Sequence, residues 1–89
     1  MKYVRNNNFY CATLDNEICI FDPERGKYHN LNKVGSRIWE ILQNDCSIDE
    51  IVNSLLDTYE VSREQCYSDT NEFIKVAVKD KIIFSKQII

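Results

Sequence analysis

The sequence predicts an α+β domain of the winged helix-turn-helix kind: a three-stranded antiparallel sheet followed by three helices and a short C-terminal wing strand. Three observations carry this expectation. The first thirty residues are rich in β-formers and are interrupted by two turn signals, Asp15-Asn16 and the stretch DPERG at 22–26. From Asn32 onward, apolar residues recur at helical spacing in three blocks, each opened by a residue able to cap a helix. A last apolar run, Ile82 to Phe84, is long enough only for a strand. At 89 residues the whole chain, 1–89, is expected to form one domain with a modest core, too small to enclose a buried active site easily.

In order, Met1 to Asn8 is polar and slightly basic, and its three consecutive asparagines favour coil, so a loose arm is expected there. Phe9 to Leu14 and Glu17 to Phe21 read as strands joined by a two-residue hairpin at Asp15-Asn16, a pair that tolerates positive φ. In that register Ala12 opposes Cys19 and Cys11 opposes Ile20, which keeps the two cysteines from pairing directly. DPERG puts Pro23 at the second position of a turn and Gly26 near its end, leading into a third strand from Lys27 to Leu31.

The period then changes. Asn32 is the N-cap of a helix running to about Asn44, with Val34, Ile38, Ile41 and Leu42 at helical spacing. Gly35 weakens this helix by about 1 kcal/mol relative to alanine, a cost that suggests close packing against its first turn. SIDE at 47–50 matches a capping box, and Ile48, Ile51, Val52, Leu55, Leu56 and Tyr59 give the second helix its apolar face. SREQ at 62–65 repeats the signal, with Val61 and Cys66 placed as a hydrophobic staple. The third helix is expected to run to Lys79 with Cys66, Thr70, Phe73, Ile74 and Ala77 inward. Ile82 to Phe84 follows as the wing.

Composition narrows the function classes. A net charge of −3 argues against a large phosphate-binding surface, so nucleic acid is not an expected partner. No stretch has the length and apolarity of a membrane span or the layout of a signal peptide, so no membrane partner is expected and the location is read as cytoplasmic. Cys11, Cys19, Cys46 and Cys66 are scattered, and the only histidine, His29, lacks a partner at metal-ligand spacing, so the thiols read as reduced and structural. One histidine with no nucleophile beside it, and no Gly-rich phosphate loop, leave nothing for acid, base or covalent chemistry; an enzyme is not expected, nor is a cofactor. Asp49 with Glu50, and Asp57 with Glu60, are explained by capping or a solvated face. Trp39, Tyr28, Tyr59 and Tyr67 suit a core or the rim of a peptide groove equally well. The remaining feature is the junction at 26–39, where the last strand of a small sheet becomes a candidate free edge onto which another chain can add.

Three segments in fixed order, GKYHNLNKVGSRIWEIL, SIDEIVNSLLDTYEV and DTNEFIKVAVKDKII, resemble the PqqD family of peptide-recognition domains across nearly the whole chain. The shared pattern is an aromatic strand ending in Leu-Asn, a helix with a glycine and an Ile-Trp pair, a Ser-x-x-Glu-Ile helix ending in Tyr-x-Val, and an Asp-x-x-x-Phe helix. The resemblance implies binding of the leader segment of a ribosomally made precursor peptide (a RiPP), which adds as an antiparallel strand to the third strand, in a groove made with the third helix. It implies partners that modify the core: a leader peptidase and cyclase, as in lasso-peptide pathways, or a radical SAM protein. Carried onto this sequence, the peptide-binding residues are Lys27, Tyr28, His29, Asn30 and Leu31 on the strand and Cys66, Asp69, Thr70 and Phe73 along or beneath the helix. Two positions depart from the pattern. Lys81 replaces a glycine after the third helix, and Ala77 replaces a larger aliphatic. The alternative, a winged-helix transcription regulator, needs a basic recognition helix, whereas Arg63, Lys75 and Lys79 are offset there by Glu64, Asp69 and Glu72.

Overall fold

The computed structural model describes residues 1–87. Five strands and three helices follow in the order β1 (Lys2–Arg5), β2 (Tyr10–Leu14), β3 (Glu17–Asp22), β4 (Lys27–Asn30), α1 (Lys33–Ile41), α2 (Ile48–Leu56), α3 (Arg63–Lys79) and β5 (Ile83–Lys86). The expected meander is present: β2, β3 and β4 form one antiparallel sheet in that order. The hairpin turn has φ of 53° at Asp15 and 67° at Asn16, the type I′ geometry that matches strand twist. Ala12 faces Cys19 and Cys11 faces Ile20, the expected register. None of the four cysteines is in a disulfide.

The N-terminal arm differs from expectation. Residues 2–5 are strand β1, paired with β5 so that Lys2 faces Lys86 and Arg5 faces Ile83. On its other side Tyr3 exchanges backbone hydrogen bonds with Cys46, at 2.7 and 3.2 Å. A four-residue strand whose partner lies about eighty residues away leaves no local trace beyond a Tyr-Val pair, and the asparagines that follow mask even that. The asparagines do make a turn, and Asn6 anchors it: this buried side chain accepts from Asn8 N and donates to Lys81 O at 2.8 Å. The wing is therefore half of a two-stranded ribbon.

The helices begin where their caps predict. Asn32 accepts from Gly35 N, Ser47 and Glu50 complete a reciprocal capping box, and Ser62 accepts from Gln65 N. At the third cap the reciprocal half is missing, because the Gln65 amide donates to Asp69 instead, and Val61 stays exposed. Helix α1 stops at Ile41, a few residues early, as the chain turns to bring Cys46 to β1. Helix α3 ends in a Schellman motif, with Ile82 N donating to Ala77 O and Lys81 N to Val78 O, and Lys81 itself is left-handed at φ 64°. The glycine cap geometry is thus kept by a lysine.

The core gathers Ile18 and Ile20 from β3, Leu31, Ile38 and Trp39, Ile51, Val52 and Leu55, Cys66 and Ile74, and Ile82 and Ile83. Ser36 is buried among them. Its Oγ accepts from Ile18 N at 2.8 Å and donates to Leu31 O, fastening the start of α1 to the sheet where β4 ends. Trp39 belongs to this core, which resolves its two possible roles. One face of its ring is covered by the Arg5 guanidinium, 4.6 Å from the ring centre.

Candidate functional site

The site is built from a free strand edge and the helix beside it. Strand β4 pairs with β3 on one side only, so its other edge has no strand partner among the described residues. Which residues aim their backbone outward follows from alternation. Leu31 N donates to Ile18 O at 2.8 Å, and in an antiparallel ladder bonded residues alternate, so Lys27 and His29 turn their N–H and C=O groups toward β3. The hairpin gives the same answer from its other end. Residues flanking a two-residue turn are a bonded pair, so Glu17, Cys19 and Phe21 bond to β2, leaving Ile18, Ile20 and Asp22 for β4. Tyr28 and Asn30 therefore present unpaired backbone groups along the free edge.

The DPERG turn fixes where this edge begins. Asp22 is fully buried; its carboxylate accepts from Glu24 N, Arg25 N and the Arg25 guanidinium, and its carbonyl from Gly26 N. Burial pushes the Asp22 pKa up, but the hydrogen bonds from Arg25 and Glu24 together outweigh it and hold the carboxyl below its ordinary range. Gly26, at φ +66°, supplies the left-handed residue that closes the turn.

Beside β4 runs the C-terminal half of α3. Between them lies an open groove of about 310 Å³, with His29, Asn30, Leu31 and Asn32 on the strand side and Phe73, Val76, Ala77, Asp80 and Ile82 opposite. Its floor is apolar, from buried Leu31, Ala77 and Ile82, while Val76 remains 51% exposed on its wall. Gly35 explains the close fit at one end: a Cβ there would lie 2.9 Å from Cε2 of Phe73. Such a groove can hold alternate side chains of an extended segment whose backbone bonds to Tyr28 and Asn30.

The residues singled out from sequence divide. His29, Asn30, Leu31 and Phe73 line the groove together. Lys27 lies just beyond, in a smaller hollow shared with His29. Tyr28 turns to the outer sheet face, 69% exposed, with its ring 4.7 Å from that of Phe21. Cys66 and Thr70 are buried in the core under the N-terminal half of α3, and Asp69 is exposed and hydrogen-bonded to Gln65; none of the three borders the groove. Val76, Asp80, Asn32 and Ile82 were not singled out. The signal was there in part, since Phe73, Val76, Ala77 and Asp80 continue the helical stripe at i, i+3, i+4 and i+7.

Residues 17–83 match the family model described as coenzyme PQQ synthesis protein D (PqqD). The chain belongs to the PqqD family. Two solved structures have the fold of this PqqD-family chain. TbiB1 in complex with the TbiA(beta) leader peptide superposes with a TM-score of 0.83 at 24% identity, covering 96% of this chain and 99% of that one. Lasso peptide synthetase B1 complexed with the leader peptide gives 0.81 at 18% identity, covering 96% and 100%. No curated protein matches the PqqD-family chain.

Proposed function

We propose that this chain is a non-catalytic recognition domain that binds the leader segment of a ribosomally synthesised precursor peptide by strand addition to β4, holding it for partner enzymes such as a leader peptidase and cyclase or a radical SAM protein. The observation that carries the reading is the free edge of β4 standing directly over an apolar groove. An edge alone accepts any extended segment, because backbone groups are the same in every sequence; side-chain pockets supply the choice. Membership of the PqqD family supports the reading, as do the two similar folds, both solved with a leader peptide.

The test is calorimetry with the two halves of the precursor peptide encoded nearest to its gene. The leader half is expected to bind the isolated domain and the core half not to. Equal affinity for both, or binding to neither, removes the recognition role.

A further inference from the structure

We propose that the groove continues into an anion-selecting subsite at the Lys27 end of β4, so that the bound peptide carries an acidic side chain there; this rests on strand addition to β4. The hollow at that end, about 120 Å³, is lined by Asp22, Arg25, Lys27, His29, Lys79 and Asp80. It shares His29 and Asp80 with the groove, so a segment lying along β4 passes from one into the other. It also shares Arg25 with a third cleft, of about 410 Å³, beyond the DPERG turn.

The charges in the hollow are unequal. Asp22 is spent on Arg25 and the turn backbone. That leaves Lys27 and Lys79 facing Asp80, and neither lysine has a salt-bridge partner among the described residues. In a chain with net charge −3, a local cationic excess beside an apolar groove selects for a carboxylate. Lys79 has a second reason to be cationic, because it sits in the last turn of α3, where it offsets the carbonyl end of the helix. Lys27 has no such role.

Register places the carboxylate. Lys27, His29 and Leu31 share the sheet face that carries buried Ile18, Ile20 and Asp22, as their cross-strand partners and the two-residue period require. A peptide side chain level with Leu31 or His29 enters the apolar groove, and the one level with Lys27 lies two residues beyond His29, at the hollow. The motif selected is an apolar residue and an acidic residue two or four positions apart.

A displayed library of random twelve-residue peptides, selected against the full chain, tests this without knowledge of the natural ligand. Enriched sequences are expected to pair an apolar position with Asp or Glu at that spacing, and the acidic preference to vanish with Lys27→Gln and turn to Lys or Arg with Lys27→Glu/Lys79→Glu. One enriched peptide, resynthesised with Glu→Gln, is expected to lose about 2- to 10-fold in affinity, the range of one or two partly exposed ion pairs. Circular dichroism establishes that each variant is folded. Apolar peptides whose capture depends on Asn30 but that show no acidic position overturn the subsite alone. Absence of any enrichment sensitive to Asn30→Pro overturns strand addition to β4 and the subsite together.

Discussion

The β2-β3-β4 sheet has two free edges, and they differ in what lies beneath them. Strand β2 is exposed at all five positions and borders the solvent with both faces. Strand β4 is no longer, yet it has the apolar groove under one face and α3 standing beside it. Both edges offer the same backbone chemistry. Beside β4 the groove is walled by α3, so in strand addition there selectivity would come from the helix next to the edge rather than from the edge itself.

Proline substitutions sharpen this contrast most. His29→Pro removes an N–H that bonds to β3 and breaks the ladder, so loss of the cooperative melting transition is expected, followed by circular dichroism. Asn30→Pro removes an outward N–H and leaves the sheet folded, but leader affinity measured by calorimetry is expected to fall at least about 10-fold, as for a lost hydrogen bond plus a blocked approach. On β2 the outward residues are Cys11 and Thr13, since Tyr10, Ala12 and Leu14 face the residues that bond to it. Thr13→Pro should therefore bind leader like the unaltered chain; loss of binding there would move the accepting edge to β2.

The helix gives the next contrast. Val76→Asp sets a charge on the groove wall and is expected to cost binding about 10-fold or more with little change in melting temperature. Asp69→Lys lies off the groove and is expected to leave affinity within about 2-fold. Gly35→Ala is subtler. It gains about 1 kcal/mol of helix propensity but drives its Cβ against the Phe73 ring, so stability should change little while the ring shifts and leader affinity drops.

The smallest expected effects are on the ends of the elements that frame the groove. Because the folded-state pKa of Asp22 is lowered, the folded chain binds fewer protons than the unfolded one, and the stability it contributes is present above the ordinary carboxylate range and lost as pH falls below it. Asp22→Asn should flatten that acid limb in pH-dependent melts. Lys81→Gly relieves a left-handed lysine and is expected to stabilise by about 0.5 to 1 kcal/mol in urea titrations, with binding unchanged.

Much of the fold was legible because its signals are local: the Asp15-Asn16 hairpin, the DPERG turn, and three N-caps each lying within a few residues of what they organise. Strand β1 and the tie from Ser36 to Ile18 were not, since each depends on a partner distant in sequence. In the candidate site, the strand half was read correctly as an edge, and Phe73 was placed on the groove. Of the helix residues expected there, Cys66, Asp69 and Thr70 lie off the groove, whose helical wall of Phe73, Val76, Ala77 and Asp80 sits about two turns further toward the C-terminus. Cys66 and Thr70 share the inward stripe with Ala77, and periodicity alone cannot say where along that stripe α2 covers the helix and where the groove opens; that depends on how α2 and α3 cross.

The pairing of β1 with β5 sets Lys2 opposite Lys86, so the chain enters and leaves the described domain side by side. A module with adjacent ends is an interchangeable cassette: its two ends fit a gap of only one strand spacing, about 5 Å, in a loop of a host protein. Grafted that way into an enzyme, it would add a peptide-gripping arm while leaving β4 and α3 unbroken.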